Sequence, residues 1–190
     1  MAQIFETETF NNVGAVAAAP TSGSIRAKVI REGAYFRVDL TLTAARVVVT
    51  DAAASGSHGT LPLFTFVEGA FAFLAARQNY TAFAEGAALT TAAGDAAFKI
   101  GVGTVAKAAA ADGALAGATD DDIAGEIAIT LSGGTGTGTL TGVLAVVTDG
   151  TAAAKSIHLN WSGSAATIDA TSYIDVTGTI SIAGVALSDD

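Results

Sequence analysis

Four places in this 190-residue chain hold residue types that could do chemistry. Ser57-His58, with Asp51 nearby, contains the side chains of a hydrolase triad. A triad needs the nucleophile on a strained turn, an acid orienting the histidine and an oxyanion hole. Neighbouring Ser and His in a Gly/Ser/Ala segment supply none of these, so His58 is expected to be exposed or hydrogen-bonded. Asp120-Asp121-Asp122 with Glu126 offers oxygen ligands for a hard cation such as calcium. An EF-hand loop spaces its carboxylates at alternate positions around a central Gly and ends in Glu; that spacing is absent. Consecutive aspartates on an extended chain point in opposite directions, so a solvated acidic turn is expected. Ser132 to Thr139 (SGGTGTGT) has the glycines of a phosphate loop without the closing Gly-Lys-Ser/Thr or a following amphipathic helix. It reads as an exposed hairpin tip. The second histidine, His158, falls on the polar face of a strand, and Trp161, the single indole, cannot alone make a sugar-stacking platform. No catalytic residue, cofactor site or metal site is therefore assigned, and the chain is expected not to be an enzyme.

The elements that would have to position such residues are strands. Phe36, Val38, Leu40 and Leu42 alternate with Arg37, Asp39, Thr41 and Thr43, the period of a half-buried strand. The same alternation runs through Ile127–Leu131, Ile157–Trp161 and Ile174–Ile182, and Leu140 to Val147 is rich in β-formers. Gly178 lies on the inward side of its strand, where a bulge or a close backbone contact is expected. Phe64 to Ala76 reads as two strands around Glu68-Gly69, and Ala106 to Ala118 as a loop weakened by Gly113 and Gly117. Turn signals such as Glu32-Gly33, Asp149-Gly150 and Ser162-Gly163 separate the runs. The expected fold is all-β: an antiparallel β-sandwich or jelly-roll over 25–190, preceded by residues 1–24 as an extended N-terminal arm or edge strand.

Composition sets the outer limits. Cysteine is absent, which excludes disulfides and thiolate chemistry. No apolar run is long enough for a membrane helix; the longest, Leu61 to Ala76, is broken by Pro62, Glu68 and Gly69. The N-terminal ten residues are acidic, unlike a secretory signal, and no membrane partner is expected. The formal net charge of −9 is uneven: Lys107 and Lys155 are the only cations after residue 100. That balance argues against a nucleic-acid partner. Arg26, Lys28, Arg31, Arg37 and Arg46 form a local basic excess, the candidate docking residues for an acidic partner.

The C-terminal third has a cadence of small residues, Asp149-Gly150-Thr151, Ile157-His158-Leu159-Asn160-Trp161, Ile168-Asp169-Ala170 and Val176-Thr177-Gly178-Thr179-Ile180, and upstream of it lie Ile100-Gly101-Val102-Gly103-Thr104-Val105 and Asp120-Asp121-Asp122-Ile123. Across residues 60–182 it resembles the small β-rich structural proteins encoded beside the capsid genes of tailed double-stranded DNA bacteriophages. The resemblance implies a virion protein: a capsid decoration, or cement, protein on the capsid surface. Such a protein binds the major capsid protein from outside as a homo-oligomer, a trimer, and stabilises the shell. A head-fibre, tail or other virion structural protein, or a cell-surface adhesion module, is the alternative expectation.

Overall fold

A computed structural model describes residues 13–51, 57–67, 69–86, 98–107, 115, 119–129, 140–142, 146–150, 155–163 and 172–187. Among these, every regular element is a strand. They are β1 (Gly14–Val16), β2 (Ser24–Glu32), β3 (Tyr35–Asp51), β4 (Ser57–Phe66), β5 (Gly69–Glu85), β6 (Phe98–Gly103), β7 (Ala124–Ile129), β8 (Leu140–Gly142), β9 (Val146–Gly150), β10 (Ser156–Gly163) and β11 (Ser172–Leu187). All pairings between them are antiparallel. The all-β antiparallel expectation holds, including the two strands around Glu68-Gly69. The Gly/Thr segment 132–139 and residues 1–12 lie outside the described residues. Residues 14–16 of the expected arm belong to the sheet, paired with Phe64–Phe66 of β4.

The strands form one sheet in the order β7-β6-β10-β4-β3-β11-β5-β8, with β1 joined to β4, β2 to β3 and β9 to β5. Its two ends, β7 and β8, lie side by side, so the sheet curls nearly into a barrel. It has sandwich-like walls because β3 and β4 splay. Only Val48–Asp51 of β3 pair with β4; the first half of β3 pairs with β2 instead. One wall is therefore β2-β3-β11-β5, and the facing wall is β1-β4-β10-β6-β7. Near the splay, Ala44 takes a positive φ of 46° and its N–H donates to Thr177 Oγ1 at 3.0 Å. The register between β3 and β11 shifts at the same level, between Val176 and Gly178. Such a bulge sharpens the twist and restores alternation beyond it: Leu42 and Ala45 both face inward. A Cβ on Gly178 would stand 2.4 Å from the carbonyl oxygen of Asn79, the close backbone contact expected there.

Between the walls, Val38, Leu40, Val47, Leu63, Leu159, Ile174 and Ile180 are fully buried. Each such side chain contributes ~1.5–3 kcal/mol through burial. One end is filled by aromatic rings: Phe36 on β3 stands 5.7 Å from Phe66 on β4 across the walls and 6.2 Å from Phe73 on β5 within its own wall. Towards the other end Trp161 stacks on Phe98 at 5.0 Å. The seam between the walls carries a polar link. Buried Gln78 on β5 donates from Nε2 to the carbonyl of Gly125 on β7 at 2.6 Å, and its Oε1 accepts from the Tyr80 hydroxyl at 2.7 Å.

Candidate functional site

Among the described residues, polar side chains gather in two places on the outer faces of the walls. The first is the outside of β4-β10-β6. On β6 the outward positions include Gly101 and Gly103, and the chain at 119–123 lies flat over them. A Cβ on Gly103 would meet the Asp120 carbonyl carbon and the Thr119 oxygen at 2.3 Å; one on Gly101 would meet the Asp121 Cβ at 2.8 Å. The two glycines let backbone lie on backbone. Ile123 N–H donates to Val102 O at 2.9 Å and Val105 N–H to Thr119 O at 3.2 Å, fastening this strap.

Asn160, outward on β10 and fully buried beneath the strap, uses its whole amide. Nδ2 donates to Val105 O at 2.8 Å and Asp120 O at 2.7 Å, and Oδ1 accepts from Lys107 N at 2.9 Å and Thr60 Oγ1 at 2.8 Å. This is the full donor and acceptor capacity of an amide with two protons. The Lys107 ammonium pairs with Asp120 at 3.1 Å, both side chains nearly sealed from solvent. Such a buried pair is costly to break on one side only.

The three aspartates are buried, at 6–8% exposure, and the expectation of a solvated acidic turn is corrected. The physical reason is that the glycine-lined strand lets the turn sink onto the sheet, where each carboxylate finds its own donors. Asp120 takes Lys107. Asp122 accepts from Thr104 N–H at 2.7 Å and Thr104 Oγ1 at 2.6 Å. Asp121 Oδ2 accepts from Glu126 N–H at 3.0 Å, while its Oδ1 is buried with no hydrogen-bond partner among the described residues. Burial raises the carboxyl pKa of Asp121 and Asp122, and their hydrogen bonds partly counter it. Among the described residues no group of three or more His, Asp or Glu is arranged to hold a metal ion.

The triad residues are not assembled. Ser57 is buried on the inner face, beside Gly163. His58, the next residue, points outward as the pleat requires, next to Ser162 across the β4-β10 pair. Among the described residues the His58 Nδ1 and Ser162 Oγ atoms have no hydrogen-bond partner, so neither bonds the other. The Asp51 side chain lies outside the described set. Burial, followed by the Lys107 charge, lowers the His58 pKa; burial alone lowers that of His158.

The second place is the outside of β2-β3-β11-β5, and it divides the five candidate docking residues. Arg26 and Lys28 on β2 face outward opposite Thr41 and Asp39, with Arg37 on the same face of β3. Arg37 binds Asp39 at 2.8 Å. Arg46 lies beyond the bulge, makes two bonds of 2.7 Å to the Asp175 carboxylate and covers the Tyr173 ring. Arg31 is on the other side of β2, and its Nε donates to Gly33 O at 2.9 Å. Arg77 on β5, not singled out from sequence, joins the first three: it pairs with Ser181, which itself pairs with Asp39. Between these charges the face is made of small side chains, among them Thr41, Thr179, Ser181 and Ala183. At its hairpin end it exposes Ile30 and Tyr35, and further along Leu74 and Leu187.

Sequence reasoning missed Asn160, Lys107 and the two glycines of β6. The available signal was glycine at alternate positions of a strand, which marks a face that another backbone approaches. No described helix is long and apolar enough to cross a membrane, a statement that does not extend to strands. Comparison with family models, with curated proteins and with solved structures finds no match for this chain.

Proposed function

We propose that this chain is a bacteriophage capsid decoration protein, which binds the outside of the major capsid shell as a trimer and stabilises it. The observation that carries this reading furthest is the outer face of β2-β3-β11-β5. It is broad, lined by small side chains and edged by Arg26, Lys28, Arg37 and Arg77 around Asp39. Ile30, Tyr35, Leu74 and Leu187 are exposed on it. Apolar surface rimmed by charge is typical of an interaction site, and the cations suit an acidic partner surface. The resemblance of residues 60–182 to decoration proteins supplies the identity of that partner. Modest contacts suffice on a shell, because neighbouring sites act at high local concentration.

The reading is tested by sedimenting the purified protein with expanded, empty shells and by measuring its mass in solution. Saturable co-sedimentation of a trimer is expected, weakened by the triple variant Arg26→Glu, Lys28→Glu, Arg37→Glu. A protein that stays in the supernatant at saturating shell concentration overturns the proposal.

A further inference from the structure

We propose that Lys107 and Asp120 are the two halves of an intramolecular isopeptide bond, an amide between the lysine Nζ and the aspartate Cγ that welds the strap to the turn after β6. No partner molecule takes part, so the bond and its test stand apart from the capsid reading.

An amine and a carboxylic acid are the two components of an amide. Lys107 Nζ lies 3.1 Å from Asp120 Oδ2, and the two side chains are 2% and 9% exposed. Two ions so enclosed have given up most of their hydration, and their mutual attraction only partly returns it. An amide in the same place carries no net charge and demands much less of its surroundings than two ions do.

The backbone around the pair is fixed from both sides. Asn160 Oδ1 accepts from Lys107 N–H at 2.9 Å and its Nδ2 donates to Asp120 O at 2.7 Å, so one buried side chain holds both partners. Val105 N–H donates to Thr119 O at 3.2 Å, a second tie close to each of them. Gly103 lets the Asp120 backbone come down onto β6, where a Cβ would stand 2.3 Å from its carbonyl carbon. A free amine and a free acid in water do not condense at neutral pH. Groups held in reacting geometry behave as though at ~10⁵–10⁸ M.

The step balances without any other reactant. The ammonium passes one proton to the carboxylate, which leaves a neutral amine and a neutral acid. The Nζ lone pair then attacks Cγ and forms the C–N bond. The nitrogen gives a second proton to the hydroxyl oxygen, the bond from Cγ to that oxygen breaks, and one water leaves. Asp121 and Asp122, whose pKa values are raised by burial and to a smaller extent by the Asp120 charge, are carboxyls able to relay these protons.

The test is the intact mass of the full chain under denaturing conditions. The native protein should weigh one water less than its sequence. Trypsin should leave Ile100–Lys155 as a single peptide, also one water short, because a lysine held in an amide is not a cleavage site and Lys107 is the only other one in that stretch. Lys107→Arg and Asp120→Ala should each restore the full mass. A native chain at its full sequence mass overturns the proposal. So does a missing water that persists in either variant, or a native chain cut after Lys107. The water would then have come from elsewhere, such as a succinimide at Asp112-Gly113 or Asp149-Gly150. The peptide result is read on the native chain, so it decides the matter even where a variant fails to fold.

Discussion

Asn160 shows how much one buried amide can organise. It joins three separate stretches of chain: β4 through Thr60, the turn after β6 through Val105 and Lys107, and the strap through Asp120. All four bonds are made inside the protein, where the alternative for Val105 O, Asp120 O and Lys107 N is to lose a partner without gaining water. A buried group left without its bond costs ~1–3 kcal/mol. Asn160→Ala strands several such groups, and partial relaxation should bring the total to ~3–5 kcal/mol. That is a large share of the ~5–15 kcal/mol stability of an ordinary domain. Urea denaturation measures it directly. A loss below ~1 kcal/mol would mean that water replaces the amide and the strap is not pinned by it. Asn160 was visible in the sequence only as the polar partner of Leu159 and Trp161. Nothing in period-two alternation distinguishes an outward residue in solvent from one covered by a distant loop, because the cover comes from Val105 and Asp120, some forty to fifty-five positions away. The aspartates were misread for the same reason: three adjacent carboxylates look solvated until the donors Thr104, Lys107 and Glu126 are placed.

At the scale of elements, inward alternation was legible wherever a strand had one dry face. Phe36–Thr43, Ile157–Trp161 and Ile174–Ile182 are strands whose large apolar side chains point inward as read. What could not be read was which strands share an edge. The splay of β3 from β4, which makes two walls out of one sheet, depends on pairings that no local pattern encodes. The strap is an intermediate case, since Gly101 and Gly103 are its sequence trace. A methyl group on Gly103 would have to displace backbone atoms at 2.3 Å rather than a movable side chain. Gly103→Ala should therefore lift the strap from β6 and destabilise the protein by ~1–3 kcal/mol, the usual cost of overpacking. Hydrogen exchange gives the specific readout. The Ile123 amide, bonded to Val102 O, should lose protection, while the amides of β11, buried between β3 and β5, should keep theirs. Equal loss at both places would show that the strap and the barrel unfold as one unit rather than as separable layers.

For the whole molecule, the balance of buried ionisable groups predicts how stability follows pH. His58 and His158 have pKa values lowered from 6.5 in the folded protein, chiefly by burial. The unfolded chain therefore takes up protons first as the pH falls past 6.5, and by linkage stability is lost from there down to the folded pKa values. Asp121 and Asp122 act with the opposite sign. Their folded pKa values are raised above 3.8, so the folded state takes up protons first and regains stability as the pH falls through that raised range. A third influence is general: the net charge of −9 shrinks towards zero near the pI of about 4.4, relieving self-repulsion in the compact state. The three overlap, so the raw pH profile of the native protein does not separate them. The double variant His58→Gln, His158→Gln removes only the first. Urea midpoints measured from pH 7.5 down to 5 should fall for the native protein relative to the variant, with the gap changing mainly below pH 6.5. The carboxylate and net-charge effects cancel in that difference because both proteins carry them. A difference that stays constant across the range would mean that the two imidazoles protonate as readily in the fold as in the open chain. The outer face of β4 and β10 would then be wet at His58 and His158, and the strap beside them would shield less of the sheet than its contacts with Gly101 and Gly103 imply.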